Sequence, residues 1–163
     1  HPLVDVVVIN EGDLVFFELV KAFAENKNLS EVNGIGYKNN GKTRINKSVS
    51  LIDNLNFLPL FPYHLIDIPK YSSLSVNNLP SLDILTSRGC PYNCGFCSTP
   101  ITSKRLWRAI TVEKIIENIV FLKEKYGIAT FYLVDDNFMV DLKRVEQFLD
   151  ALKEANLKIY WGT

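Results

Sequence analysis

Short apolar runs and amphipathic stretches alternate through residues 82–163, and this alternation restricts the fold more than any other feature of the chain. Residues 82–86 (LDILT), 129–134 (ATFYLV) and 158–161 (KIYW) read as strands. Between the first two, Val112, Ile115, Ile116, Ile119 and Leu122 recur at helical spacing, with Thr111 as N-cap and Gly127 at the left-handed C-terminal position. Between the second and third, Asp141 caps a helix with Leu142, Val145, Phe148, Leu149 and Leu152 on one side, and Asn156 closes it. Strand–helix–strand–helix–strand implies a parallel sheet with right-handed crossovers. Ligands of such sheets sit beyond the carboxyl ends of the strands. Three polar groups are expected there: the loop after residue 86, the run Asp135-Asp136-Asn137, and Gly162-Thr163.

The first of those loops holds every cysteine of the chain. Cys90, Cys94 and Cys97 lie in the run RGCPYNCGFC, spaced Cys-x3-Cys-x2-Cys, with no fourth cysteine. A closed structural zinc site takes four ligands, and an Fe–S carrier normally supplies four cysteines per cluster. Three thiolates on one loop hold a metal or cluster with one position left open. Clustered cysteines of this kind also argue for a reducing, cytoplasmic setting. The alternative is a zinc knuckle or unliganded thiols; zinc would need His1 or His64, and neither sits in a ligand-spaced motif.

The N-terminal part is less regular. Residues 4–9 (VDVVVI) read as a central parallel strand. A polar turn, Asn10-Glu11-Gly12-Asp13, leads to a helix with Leu14, Phe17, Val20, Phe23 and Ala24 at helical spacing and Asp13 as its N-cap. Residues 34–45 read as a β-hairpin turning at Asn40-Gly41. Residues 54–80 carry four prolines and many Asn and Ser, the composition of an irregular connector. The expected division is 1–30 as the end of an α/β domain, 31–79 as hairpin and linker, and 80–163 as the start of a barrel. The chain opens at His1 with a strand already under way and stops after another, so it is expected to be an excerpt of a longer protein.

Formal net charge is zero, from 18 basic and 18 acidic residues, so a general nucleic-acid or membrane-surface binder is not expected. No apolar stretch is long enough to span a bilayer.

The cysteine run, with Phe96 before its last Cys, resembles the hallmark of the radical S-adenosylmethionine (SAM) superfamily. More narrowly, the GCPYNC-FC and DDNF runs and the turn at 10–13 are similar to the group with an N-terminal cobalamin-binding domain. The resemblance implies a partial (β/α)6 TIM-like barrel, strands one to three, preceded by the end of a Rossmann-like cobalamin-binding domain. It implies that Cys90, Cys94 and Cys97 hold a 4Fe-4S cluster whose fourth iron is chelated by SAM, and that SAM is cleaved to a 5′-deoxyadenosyl radical. Phe96 and Tyr92 are then expected near the cofactor, Phe96 beside its adenine. Asp135, Asp136 and Asn137 replace the superfamily's glycine-glycine-glutamate run that contacts the methionine amino group; which of them would do so stays open, as does the reading that this run is only a helix-capping turn. Thr163 is a candidate for the ribose or methionine portion. Cobalamin is implied by the group's organisation and not by any residue here. The implied partners are a small-molecule substrate and an electron donor such as flavodoxin or ferredoxin. Two alternatives stand beside this: a methylthiotransferase-type enzyme, disfavoured because no cysteine precedes Cys90, and a non-enzymatic iron–sulfur or zinc-knuckle module. The excerpt alone is expected to be inactive. Lys104, Arg105 and Arg108 form a small basic cluster, either facing an anionic substrate or simply solvated, and Trp107 and Trp161 are expected in the core.

Overall fold

The structure is a computed structural model that describes every residue except Pro2 and Val76, the latter inside the expected connector. It divides into two compact units, residues 1–52 and 53–163.

In the first unit, β1 (Val6–Val8) is followed by α1 (Gly12–Ala24), β2 (Ile35–Asn39) and β3 (Lys42–Ile45). The sheet order is β1-β2-β3 and both pairings are antiparallel, Val7 facing Gly36 and Tyr37 facing Arg44. The expectation of a parallel strand at 4–9 is therefore corrected among the described residues. The hairpin supplies β1's partner, and only three residues pair. The hairpin turn itself is as expected, with Asn40 and Gly41 both at positive φ, 49° and 75°.

The α1 stripe also needs correction. Val15, Leu19 and Ala22 are buried with Val32, Ile35 and Tyr37, whereas Leu14, Phe17, Val20 and Phe23 are exposed. Apolar residues surround most of this helix, so its periodicity singles out no face, and the sheet makes the choice. Its N-cap is Glu11, with Asp13 in the first turn. The Glu11 carboxylate accepts from the Ile52 backbone N–H at 2.6 Å, which ties the end of the unit to the turn at 10–13.

The second unit begins in the proline-rich stretch. This is not only a connector: Leu55 and Tyr63 are buried there, and Tyr63 joins the main core together with Ile68, which opens the short helix α2 (Ile68–Tyr71). β4 (Ser73–Leu74) then pairs antiparallel with β5 (Pro80–Ile84). From there the expected alternation is present: α4 (Val112–Tyr126), β8 (Thr130–Leu133), α5 (Leu142–Glu154) and β9 (Tyr160–Gly162). β5, β8 and β9 are parallel neighbours in the order β4-β5-β8-β9, with Leu82 facing Phe131 and Phe131 facing Trp161. A small ribbon, β6 (Ser87–Arg88) with β7 (Arg108–Ala109), and the short helix α3 (Thr99–Thr102) between them complete the unit.

The caps are those the residues dictate. The Thr111 and Asp141 side chains accept from the Lys114 and Arg144 N–H groups, and Gly127 ends α4 at φ 70°. Ile115, Ile119 and Leu122 of α4, with Val145, Phe148 and Leu152 of α5, cover the parallel sheet. Leu142 and Leu149, expected on the α5 stripe, are exposed. Phe138, Phe148 and Trp161 meet edge to face with centroids 5.4–5.9 Å apart, so Phe138 and Trp161 belong to the core. Among the described residues, no helix is long and apolar enough to cross a membrane.

Two expected outcomes arise here. Gly127→Ala meets nothing within 4 Å, so only the left-handed backbone is at stake. Urea unfolding should show a loss of about 1 kcal/mol. Burial pushes the Tyr63 hydroxyl above its ordinary value of 10.0, opposed by the hydrogen bond from Asn118 Nδ2 at 3.1 Å. A raised folded value favours the protonated form, so this contribution is intact below pH 10 and is lost as pH climbs through the folded value. Tyr63→Phe should flatten the alkaline arm of the stability–pH curve; an unchanged arm would exclude Tyr63 as its source.

Candidate functional site

The site is assembled at the carboxyl ends of β5 and β8. Ile84 faces Leu133 in the parallel register, so Thr86 and Asp135 leave the two strands at the same level. There the Asp135 carboxylate accepts four hydrogen bonds: from Thr86 N and Oγ1, both at 2.6 Å, and from Ser87 N and Oγ at 2.9 and 2.7 Å. A carboxylate offers about four lone-pair sites. Asp135 is thus committed to holding the root of the cysteine loop.

Behind this contact lies Arg144 of α5, only 6% exposed. Its Nη2 donates to Thr86 O and Oγ1, both at 3.0 Å, and to Ile110 O at 3.4 Å. Its guanidinium carbon lies 5.7 Å from the Trp107 ring centroid and 5.3 Å from that of Phe138. Burial lowers its ionisation from the ordinary value, and the charges of Asp135 and Asp141 oppose that. Thr86 Oγ1 accepts from Arg144 and donates to Asp135, so one hydroxyl links the cation to the anion.

Asp136 turns the other way. It accepts from Gly89 N at 2.8 Å through one oxygen and from Thr99 Oγ1 at 3.2 Å through the other. Asn137 accepts from Met139 N at 3.0 Å, capping the turn Phe138–Val140, so the capping reading holds for this member of the run.

The cysteine loop leaves β6 and returns through β7, Ser87 facing Ala109 and Arg88 facing Arg108. Ile110 N donates to Thr86 O at 3.0 Å just beyond that ribbon. Lys104 and Arg105 are both left-handed, φ 53° and 61°, and this turn brings Arg105 Nε to Pro91 O at 3.0 Å. At least Arg105 of the basic cluster is therefore part of the loop's own framework. Cys90 is half-buried, while Cys94 and Cys97 are exposed and all three are free thiols. The neighbouring Thr99 side chain and backbone hold the Cys97 thiol below its ordinary ionisation value, with desolvation and the Asp136 charge acting against them. The thiolate is the ligand form. Among the described residues, no three His, Cys, Asp or Glu side chains gather around a single-ion site.

The remaining candidates stand apart. Phe96 is 95% exposed and Tyr92 is also exposed, both on the loop surface. Gly162 faces Tyr132 in the β8–β9 register, so Thr163 is two residues short of the Asp135 level. Thr86, Ser87, Thr99 and Arg144 were not singled out from the sequence. The legible signal was the Thr86-Ser87 pair ending one strand opposite Asp135 ending the next.

The donor set fits an iron–sulfur cluster. Three thiols sit on one loop with no fourth cysteine, and one of them is drawn toward its thiolate form.

Residues 84–163 match the family model of the Radical SAM superfamily. An uncharacterized methyltransferase of Pyrococcus horikoshii is 37% identical over 160 residues, covering 98% of this chain and 34% of its own length. An anaerobic magnesium-protoporphyrin IX monomethyl ester cyclase of Synechocystis is 27% identical over 159 residues, covering 98% of this chain and 31% of its own. The chain thus spans about a third of the length of these curated relatives. Among solved structures, the apo form of OxsB, described as a cobalamin-dependent S-adenosylmethionine radical enzyme, superposes with a TM-score of 0.68 at 26% identity, covering 96% of this chain and 22% of OxsB. Through residues 84–163, with its three parallel strands as the opening of the barrel, the chain belongs to the radical SAM superfamily.

Proposed function

We propose that this chain is part of a cobalamin-dependent radical SAM enzyme, in which Cys90, Cys94 and Cys97 hold a 4Fe-4S cluster with one iron open to SAM. When bound, cluster and SAM supply a reductively generated 5′-deoxyadenosyl radical. The observation that carries this reading is the placement of a three-cysteine loop, with no fourth cysteine, at the carboxyl ends of parallel strands within the matched residues. The protein's own work is to hold the loop. Asp135 fixes its root through Thr86 and Ser87, and Asp136 bridges Gly89 and Thr99 on either side of the three cysteines. Arg105 restrains Pro91, next to Cys90. Phe96 and Tyr92, exposed on the loop, are available to pack against an adenine, and Thr163 remains a candidate for the cofactor's polar portion.

The relatives' names divide between methyl transfer and ring formation, and we carry both as outcomes. Support for cobalamin comes from the OxsB likeness over 96% of this chain. The partners proposed are a small-molecule substrate and a flavodoxin or ferredoxin, in a cytoplasmic setting.

The test is anaerobic iron–sulfur reconstitution of the full-length protein. About four irons and four sulfides per chain, a reduced-cluster EPR signal that changes on adding SAM, and release of 5′-deoxyadenosine are expected. Retention of zinc with no iron uptake would exclude the reading.

A further inference from the structure

Helices α4 and α5 cover one face of the parallel sheet, so the opposite face lines the barrel interior. Strand alternation sorts the residues between the two. Leu82, Ile84, Phe131 and Leu133 are buried on the helix side, whereas Asp83, Leu85, Tyr132 and Val134 point the other way and are exposed. These inner residues form two levels. Leu85 stands beside Val134, whose N–H donates to Ile84 O at 3.0 Å just past the ladder. One level deeper, Asp83, Tyr132 and Gly162 are register partners across β5, β8 and β9. A Cβ at Gly162 would lie 3.5 and 3.6 Å from two carbons of the Tyr132 ring, so the ring lies along this face toward β9, and Asp83 stands on its other side. Among the described residues, neither Asp83 nor the Tyr132 hydroxyl has a hydrogen-bond or ion-pair partner. An aliphatic collar thus separates the level of the cysteine loop from a carboxylate and a phenol about 7 Å deeper. A carboxylate on the inner wall of a barrel is costly unless it meets a donor.

We propose that Asp83, with Tyr132 beside it, is the substrate-recognition floor of the barrel, and that the substrate joins an apolar body at the Leu85–Val134 level to a hydrogen-bond-donating end, an amine or a hydroxyl, held by the Asp83 carboxylate. The proposal rests on the radical SAM reading above and names the substrate class of that site. An ionised carboxylate accepts and cannot donate, so Asp83 selects for donors and against carboxylate or phosphate ends at this depth. A cationic amine gains most, because its hydrogen bond to the carboxylate is charge-assisted.

The probes are n-hexylamine and hexanoate, which share an apolar chain and are opposite at the polar end, with methylamine as the donor lacking that chain. Each is titrated calorimetrically into the reconstituted full-length protein, oxidised and without reductant, so that no turnover enters the measurement. Hexylamine is expected to bind at least about tenfold more tightly than hexanoate, and at least about tenfold more tightly than methylamine. Asp83→Asn is expected to erase the preference over hexanoate, because the amide keeps the shape and loses the charge, while Tyr132→Phe keeps it. Equal affinity for hexylamine and hexanoate, a preference that survives Asp83→Asn, or no binding of hexylamine overturns the proposal; the last is the result where a cation elsewhere in the barrel already pairs with Asp83. Where Asp83→Asn does not fold, Asp83→Glu is measured instead: a retained preference supports the proposal and a lost one overturns it. Iron and sulfide are assayed in the same samples. A wild-type protein that takes up no iron defeats the cluster reading itself, an outcome separate from the amine preference.

Discussion

Gly89→Ala is expected to cut iron–sulfur loading of the full-length protein at least about tenfold and to cost about 2–4 kcal/mol at the root of the loop. Gly89 sits at φ 85°, where an L side chain is strained. A Cβ there would lie 2.0 Å from Leu106 O and 2.9 Å from Ser103 Cβ. The nearer contact is backbone, so no rotamer change relieves it. Either the limb at 106 moves away, which opens the loop beside the β6–β7 ribbon, or residue 89 changes its φ. In the second case its N–H leaves Asp136, and Cys90 moves with it. Both routes displace Cys90, a ligand of the proposed cluster. Gly95→Ala is the matched control, because a Cβ there meets nothing within 4 Å and the backbone is not left-handed. Its effect on stability should stay within about 0.5 kcal/mol. Iron and sulfide assays with urea unfolding check both variants; Gly89→Ala loading like wild type would remove the argument.

Asp135→Ala should destabilise the second unit by about 3 kcal/mol, with Asp135→Asn losing about half of that. Four short hydrogen bonds end on this carboxylate, two from backbone N–H groups that have turned out of the β5–β8 ladder. Arg144 behind it loses the opposing charge that acts on it most strongly while staying buried. The uncompensated cation, more than the missing hydrogen bonds, sets the size of the effect. It follows that Arg144→Met in the Asp135→Ala background should cost less than the two single losses added together. Urea unfolding followed by Trp107 and Trp161 fluorescence measures the cycle. Strict additivity would show that Thr86 does not couple the two groups.

Legibility differed sharply between the two ends of the chain. For 82–163, local rules agreed with the tertiary outcome. Val112, Ile115, Ile119 and Leu122 form one buried stripe along α4, Thr111 and Asp141 cap, and Gly127 terminates, so each helix carries its own boundaries. For 1–52 they did not. In α1 nearly every direction is apolar, and the buried face, Val15, Leu19 and Ala22, is whichever one the hairpin meets. β1 is too short for its apolar run to distinguish parallel from antiparallel pairing. The two-residue strands β6 and β7 have no periodicity to read, yet they close the cysteine loop.

By itself, the sequence determined the number and spacing of the thiols, at Cys90, Cys94 and Cys97, and the parallel order of the strands they follow. Cysteine spacing and hydrophobic period are local properties, written in neighbouring residues. Only the tertiary structure decided how the adjacent carboxylates divide their work, Asp135 toward Thr86 and Ser87, Asp136 toward Gly89 and Thr99. These partners are 37 to 49 residues away along the chain, and a carboxylate accepts from whichever donors the fold brings to it.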